Sequence, residues 1–328
     1  MTSLGLIIST HDGTFQLDKV ASWIASQSGW RGVLIVVVSG KTEFGMLEAV
    51  CKENNINLVV EKSVICPLAK RNRGAAIAKD LDLDYVAFMN DYQSLTPGCL
   101  KGVDTENHSE TVLFGSVQFD TKAQISSPPV SQLNFPLSKK SSRKEVWAIF
   151  SSVSEAGILV KTDFFASISG WRYPTRGEMV CLGGDGMHLV ARAFTANGTF
   201  GFSQNYQVLG GHKNTNISSS VANSRRAMYP YAFTLSTKIQ GIPFWLAPRF
   251  ILGRCFRYLQ DLIYGNHEEI KSSSIEIASR VRAYFNFPPS THSSLLTNML
   301  DENCETSQFI CAKQGATPCR YSRIDKAK

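Results

Sequence analysis

Short apolar runs alternate with amphipathic stretches through the first hundred residues. The runs are LGLIIST (4–10), GVLIVVVSG (32–40), INLVVEKS (56–63) and DYVAFMND (84–91). Each is of strand length and rich in aliphatic residues, so each predicts a buried strand. Between them lie QLDKVASWIASQ (16–27), EFGMLEAVCKEN (43–54) and LAKRNRGAAIAKDL (68–81), whose apolar positions recur at helical spacing. In the first of these, Val20, Trp23, Ile24 and Gln27 share one side. Strands without polar alternation, separated by helices, predict an α/β protein whose mostly parallel sheet is flanked by helices on both faces. In such sheets ligands bind beyond the carboxyl ends of the strands. Those ends carry Ser9, Thr10, His11 and Asp12; Ser39 and Gly40; Glu61 and Lys62; and Asn90, Asp91 and Tyr92.

The pattern then changes. TVLFGSVQFD (111–120) alternates as a strand does, and 121–144 is a Ser-, Pro- and Lys-rich loop. AGILVKTDFFASI (156–168) predicts a strand and a short helix. GGDGMHLVARAFTANG (183–198) predicts a helix that begins after a Gly-rich turn and ends at Asn-Gly. From about 216 the spacing is helical, most clearly over 242–265 and 268–285. The expected organisation is a catalytic domain over 1–215, a helical C-terminal extension over 216–287 and a poorly ordered polar tail over 288–328.

Composition narrows the function. The 328 residues are 43% hydrophobic and 19% charged, which places the chain among globular proteins. The net charge of +7 points to an anionic partner. Nucleic acid is not expected, because the basic residues are dispersed and no element concentrates them with aromatics. Lys70, Arg71 and Arg73 form the densest basic group in the first half, at the start of a helix, where a small phosphate group fits. The plain alternative for them is a solvated helix face. SGKT (39–42) lacks the upstream glycine of a phosphate-binding loop, since Ile35 stands there, and STHDGT after the first strand is not a dinucleotide fingerprint. The eight cysteines form no C-x-x-C pair; Cys51, Cys99 and Cys181 read as core residues, and the spacing of Cys304, Cys311 and Cys319 argues against zinc. No leader and no run of about 18 apolar residues is seen, so a cytoplasmic protein is expected. Phe244, Trp245, Leu246, Phe250, Ile251 and Leu252 lie among Arg249, Arg254 and Arg257. That mixture suits either peripheral membrane contact through 242–265 or a helix packed on the catalytic domain.

LAKRNRGAAIAKDLDLDYVAFMNDYQSLTPGCL resembles the core of glycosyltransferase family 2, which has the GT-A (Rossmann-like) fold. Arg71-Asn72 before a helix, the strand 85–89, Asn90-Asp91-Tyr92 and Pro97 match its order. GWRYPTRGEMVCLGGDGMHLVARAFTANGTFGF resembles its acceptor segment through Gly184-Asp185, Leu189, Arg192 and Gly198. YQVLGGHKNTNIS resembles a later strand bearing a His, here His212. The helical end, with RRAMYPYAF, is similar to rhamnosyltransferase-like members. The resemblance spans about residues 4 to 285. The chain departs from the family at three places. Ser39 stands where a base-binding Asp is usual, Asn90-Asp91-Tyr92 is a degenerate Asp-x-Asp motif, and Gly184 replaces a Glu.

The resemblance implies transfer of a sugar from a nucleotide-diphospho sugar to a hydroxyl of a glycan or lipid-linked saccharide, with inversion by single displacement. Asp185, at a helix start where the dipole favours its ionised form, is the expected general base, a role worth about 10²–10⁴-fold; a helix cap is its plain role. Thr10, Asp12, Ser39, Arg71, Arg73, Asn90 and Asp91 are expected around the donor. Asp12 with Gly13 also suits a simple turn. Trp171, Gly183 and Gly184 are expected around the acceptor, with Trp171 either stacking on a sugar or filling the core. Asp91 and His212 are candidate ligands for Mg2+ or Mn2+; without a metal, Lys70, Arg71 and Arg73 would offset the diphosphate charge. His11 and His188 read as structural. Two alternatives stay open: a non-catalytic nucleotide- or glycan-binding relative, and another nucleotide-sugar enzyme such as a nucleotidyltransferase.

Overall fold

A computed structural model describes residues 3–10, 14–38, 43–62, 67–118, 127–153, 157–171, 185–210, 230, 234, 242–243 and 245–285. The chain divides into two compact units, Met1–Arg172 with Ala196–Lys213, and Tyr173–Thr195 with Asn214–Pro318.

The first unit is built on an eight-stranded sheet. Its strands are β1 (Leu4–Ser9), β2 (Val33–Val38), β3 (Asn57–Lys62), β4 (Tyr85–Asn90), β5 (Ser94–Leu95), β6 (Val112–Gln118), β7 (Ile158–Lys161) and β8 (Phe200–Leu209). Their order is β3-β2-β1-β4-β7-β6-β8-β5. The pairs β1–β2, β2–β3, β1–β4 and β6–β8 are parallel, whereas β7 runs antiparallel to β4 and β6, and β5 antiparallel to β8. The expected α/β fold with a mostly parallel sheet and flanking helices is therefore observed. Every residue of β1 and β2 is buried, as unbroken apolar runs require of strands covered on both faces.

Helices α1 (Thr14–Ile24), α2 (Gly45–Glu53) and α3 (Pro67–Asp80) connect the parallel strands. Pro67 occupies the first position of α3, where its missing N–H costs nothing. Gly74 lets α3 approach β1, because a Cβ there would sit 2.5 Å from Ile7 Cγ2. α1 ends earlier than its periodicity predicts, and Gln27 becomes a tether. Its Nε2 donates to Thr96 O at 2.9 Å, and its Oε1 accepts from Leu100 N at 3.1 Å. That tether fixes the start of α4 (Cys99–Thr105).

The segment expected as a loop over 121–144 forms regular structure within its described part, 127–144. A 3₁₀ turn over Pro129–Gln132 buries Val130, Leu137 bridges to Phe200, and α5 (Arg143–Ser151) starts at a capping box. In that box Ser142 Oγ accepts from Glu145 N, and Ser142 N donates to Glu145 Oε2 at 2.7 Å. A short helix, α6 (Thr162–Ser167), follows β7.

In the second unit α7 (Asp185–Thr195) is followed by α8 (Leu246–Ile263) and α9 (His267–Tyr284). α8 and α9 pack together. Arg254 Nη2 meets Glu276 Oε1 at 2.8 Å, and Ser273 Oγ donates to Asp261 Oδ2 at 3.1 Å. No helix among the described residues is long and apolar enough to cross a membrane.

Candidate functional site

The carboxyl ends of β1 and β4 meet in register, with Ser9 opposite Asn90. Here β1 has β2 on one side and β4 on the other, so successive connections leave in opposite directions and a crevice is expected between them. Thr10 follows β1, its N–H bonded to Val37 O at 3.1 Å, and is 2% exposed. The first turns of α3 lie over this edge and bring in Lys70, Arg71 and Asn72.

The three α3 side chains are turned inward. Lys70 is 2% exposed, Arg71 5% and Asn72 6%, whereas Arg73 faces solvent and pairs with Glu61 at 2.9 Å. The solvated-face reading therefore holds for Arg73 and is wrong for Lys70 and Arg71. Each inward group has its own partner. Lys70 Nζ donates to the carbonyl of Thr10. Arg71 Nη2 donates to Asn90 Oδ1 at 3.1 Å, and its guanidinium lies 5.1 Å from the centre of the Trp171 ring. Asn72 clamps the backbone of Trp171, accepting from its N–H at 2.8 Å and donating to its carbonyl at 3.0 Å.

Asp91 sits where these elements converge. Burial raises its pKa, and the Thr10 hydroxyl, the Lys70 charge and the backbone N–H groups of Asp91 and Tyr92 pull it back. No hydrogen bond of ordinary geometry joins Thr10 Oγ1 to a partner, so the hydroxyl is near the carboxylate without being well aligned to it. Burial also lowers Lys70 to about 8, against the opposing pull of Asp91. Asn90 is held on two sides, since its N–H donates to Gln93 Oε1 at 2.8 Å and its Nδ2 to Tyr92 Oη at 3.0 Å. Tyr92 itself is 55% exposed.

Trp171 is fully buried. It meets Phe88 edge-on with ring centres 5.2 Å apart and Phe165 at 6.5 Å. Of its two sequence readings, the core one describes its place: it backs the Arg71 guanidinium instead of presenting a face for stacking. Gly170 before it has φ +62°, and a Cβ there would lie 2.5 Å from Asn72 Oδ1, so glycine is required by both conformation and space. Asn72 was not singled out as a site residue, although Arg-Asn at a helix start is visible in the sequence.

The structure thus brings together Thr10, Arg71, Asn90 and Asp91, with Arg73 at the outer edge. Asp12, Ser39, Gly183, Gly184 and His212 lie outside the described residues, as does His11. Asp185 opens α7, but only its backbone is described. His188, on the same helix, is buried. Among the described residues no three His, Cys, Asp or Glu side chains converge as a metal would need. A polar cavity of about 420 Å³ lies at the other end of the sheet, near Lys79, Asp84, Tyr85, His108 and Lys161. Two of its cations are engaged, Lys79 with Asp163 at 3.1 Å and Lys161 with Ser109 O at 3.0 Å.

No protein-family model matches the sequence, and no curated protein matches it. Solved structures do match the fold. S. aureus TarS 1-349 in complex with UDP-GlcNAc is 13% identical, with TM-score 0.50 over 97% of this chain and 82% of that one. The mannosyltransferase PcManGT from Pyrobaculum calidifontis, in complex with GDP-Man and Mn2+, is 10% identical, with TM-score 0.51 over 98% and 88%. A longer S. aureus TarS chain matches at 12% identity and TM-score 0.49 over 87% of this chain, which spans 55% of that one. The chain shares the α/β fold of the first two of these structures, a mostly parallel sheet flanked by helices.

Proposed function

We propose that this protein is a glycosyltransferase that uses a nucleotide-diphospho sugar as donor and the hydroxyl of a glycan or lipid-linked saccharide as acceptor. The observation that carries the reading is the cluster at the carboxyl edge of β1 and β4. Buried Lys70 and Arg71 meet half-buried Asn90 and Asp91 there, in a fold also adopted by chains bound to UDP-GlcNAc and to GDP-Man. Membership of glycosyltransferase family 2, with rhamnosyltransferase-like relatives, is part of the proposal and rests on the sequence resemblance.

In the reaction the Asp185 carboxylate takes the proton of the acceptor hydroxyl. The acceptor oxygen forms its bond to the anomeric carbon while the bond from that carbon to the diphosphate oxygen breaks. The electron pair leaves with the nucleoside diphosphate, and a single displacement inverts the anomeric centre. Negative charge grows on the leaving diphosphate. Arg71, fixed between Asn90 and Trp171, presents a cation whose orientation is set before substrate arrives, which is what charge stabilisation in a transition state requires. Lys70 adds positive potential from beneath the edge. Thr10 and Asn90 border the donor, with Asp12, Ser39 and Arg73 further along the rim and Gly183 and Gly184 beside the acceptor.

The donor set also suits one hard divalent ion in part. Asp91 supplies a single carboxylate at the edge and His212 is the second candidate; Mg2+ or Mn2+ there would take its remaining ligands from phosphate oxygens and water. Such an ion would neutralise leaving-group charge, the same task that the buried cations perform. Transfer assayed in excess chelator separates the two: full activity assigns the task to Lys70 and Arg71, and loss restored by Mn2+ assigns it to the ion.

The reading is tested with a panel of nucleotide sugars scored by thermal shift, since a bound donor raises the melting temperature by mass action. The expected result is stabilisation by one donor, release of its nucleoside diphosphate with acceptor present, and loss of release in Asp185→Asn with the donor shift retained. Tyr92, in place of the second motif Asp, favours one competing reading, a relative that binds a nucleotide sugar without turnover. Donor stabilisation with no nucleotide release under any acceptor would establish that reading instead.

A further inference from the structure

Two neighbouring residues of α3 grip one residue far along the chain. Asn72 completes both backbone groups of Trp171, accepting from its N–H at 2.8 Å and donating to its carbonyl at 3.0 Å. Arg71 lies over the ring of the same residue, its guanidinium 5.1 Å from the ring centre. Side chains at successive positions of a helix point in different directions. They converge here because Trp171 turns its backbone to one and its ring to the other.

The chain around Trp171 is shaped to allow this. Just past α6, two successive residues are left-handed, Ser169 at φ +63° and Gly170 at φ +62°. One such residue is the usual end of a helix. The second, Gly170, stands against the Asn72 amide, where a Cβ would lie 2.5 Å from Oδ1. Behind the indole, Phe88 packs edge-on with ring centres 5.2 Å apart, and Phe88 in turn meets Phe165 at 5.1 Å. Phe88 lies on β4, two residues before Asn90, whose Oδ1 accepts from Arg71 Nη2 at 3.1 Å. Both anchors of the guanidinium, the Asn90 amide and the Trp171 ring, are therefore referred to the same strand.

Satisfying a buried peptide accounts for the hydrogen bonds of Asn72, but not for a cation seated on the indole that those bonds fix. A free arginine gives up rotamer freedom when it binds a phosphate. One whose direction is already fixed has lost that freedom on folding, and it binds more tightly for it. We propose that Asn72 is a positioning residue for donor binding: through Trp171 it sets the direction in which Arg71 meets the donor diphosphate. The inference rests on the transferase reading and adds to it a residue that does not itself touch the substrate.

The test is titration calorimetry of the full chain with UDP, GDP, ADP, CDP and dTDP, and with the nucleoside of whichever diphosphate binds. Asn72→Ala should lower affinity for the diphosphate about tenfold and leave affinity for the nucleoside unchanged, since Arg71 serves only the phosphates. In an Arg71→Ala background, Asn72→Ala should lower it no further. Trp171→Leu keeps the backbone clamp and loses the ring face, and should lower diphosphate affinity about fivefold. Trp171→Phe, which keeps an aromatic face, should recover most of that loss. Circular dichroism at the titration temperature checks that each variant is folded; if Asn72→Ala is not, the comparison of Trp171→Leu with Trp171→Phe decides. Wild-type diphosphate affinity in Asn72→Ala, equal losses for diphosphate and nucleoside, additivity with Arg71→Ala, or no recovery in Trp171→Phe overturns the proposal and leaves the transferase reading standing. A wild type that binds none of the diphosphates overturns both.

Discussion

At the carboxyl edge of β1 and β4, Lys70, Arg71 and Asn72 lie at 2, 5 and 6% exposure; on α8, Leu252, Phe256 and Ile263 lie at 59, 70 and 81%. The first region takes cations and an amide out of water, and the second leaves large apolar side chains in it. Each departs from ordinary partitioning, and in opposite senses. The costs also differ. A buried charge is tolerable only if its partners are in place, so the sheet edge must be built as a network: Thr10 and Asp91 answer Lys70, Asn90 answers Arg71, and Trp171 meets both Arg71 and Asn72. An exposed apolar stripe imposes no such demand on its neighbours. The sheet edge should therefore be intolerant of substitution in the folded protein alone, and the stripe should matter only when something covers it.

The largest effect expected separates chemistry from both regions. Asp185→Asn should reduce turnover by about 10²–10⁴-fold while leaving the melting temperature and donor shift nearly unchanged. Full activity in that variant would remove Asp185 as the base. Next comes the network itself. Asp91→Ala should cost about 3 kcal/mol in urea unfolding, because Lys70 then stays buried without its compensating charge. A loss within about 0.5 kcal/mol would mean that Asp91 is solvated and the edge is not a closed network. Asn72→Ala should cost about 2 kcal/mol, as it leaves the buried N–H and carbonyl of Trp171 unmet. It should also lower donor affinity through the loosened Trp171–Arg71 contact.

A carboxylate on α4 tests whether burial alone has these consequences. Burial pushes Asp104 up to about 6, with the Arg31 N–H holding it back. Between its ordinary value of 3.8 and about 6 the folded state binds the proton more tightly than the unfolded state, so the Asp104 contribution to stability falls as pH rises through that window. The stability of wild type relative to Asp104→Asn should accordingly decrease from pH 4 to pH 6.5, and a flat difference would contradict the burial. The smallest effect belongs to α8. Phe256→Glu with Ile263→Glu should change unfolding free energy by no more than about 0.5 kcal/mol. A large loss would show that the stripe is already packed and would erase the contrast between the two regions.

Legibility followed the strength of the local pattern. β1 to β4 were visible as apolar runs, each observed strand lying within one or two residues of its predicted ends, and α2, α3, α8 and α9 were visible from spacing. α4 is seven residues long and β5 two, too short for a period to register. α5 carried a sequence signal in Ser142 and Glu145, masked by the surrounding Ser- and Lys-rich run. Of the site, the residue types at the strand ends were readable, including the odd Asn90-Asp91-Tyr92. The inward turn of Lys70 and Arg71 was not. A basic run at a helix start looks alike whether it faces water or the sheet, and the low amphipathicity of α3 gave no guide to which.

What the sequence determined by itself was an alternation of strands apolar on both faces with helices, and hence a sheet whose strand ends would carry the chemistry, because only covered parallel strands tolerate such runs. It could not set the orientation of β7, the clamp of Asn72 on Trp171, or which face of α8 would meet α9. Those depend on contacts between residues far apart in the chain, whose energies appear only when the packed partners are present together.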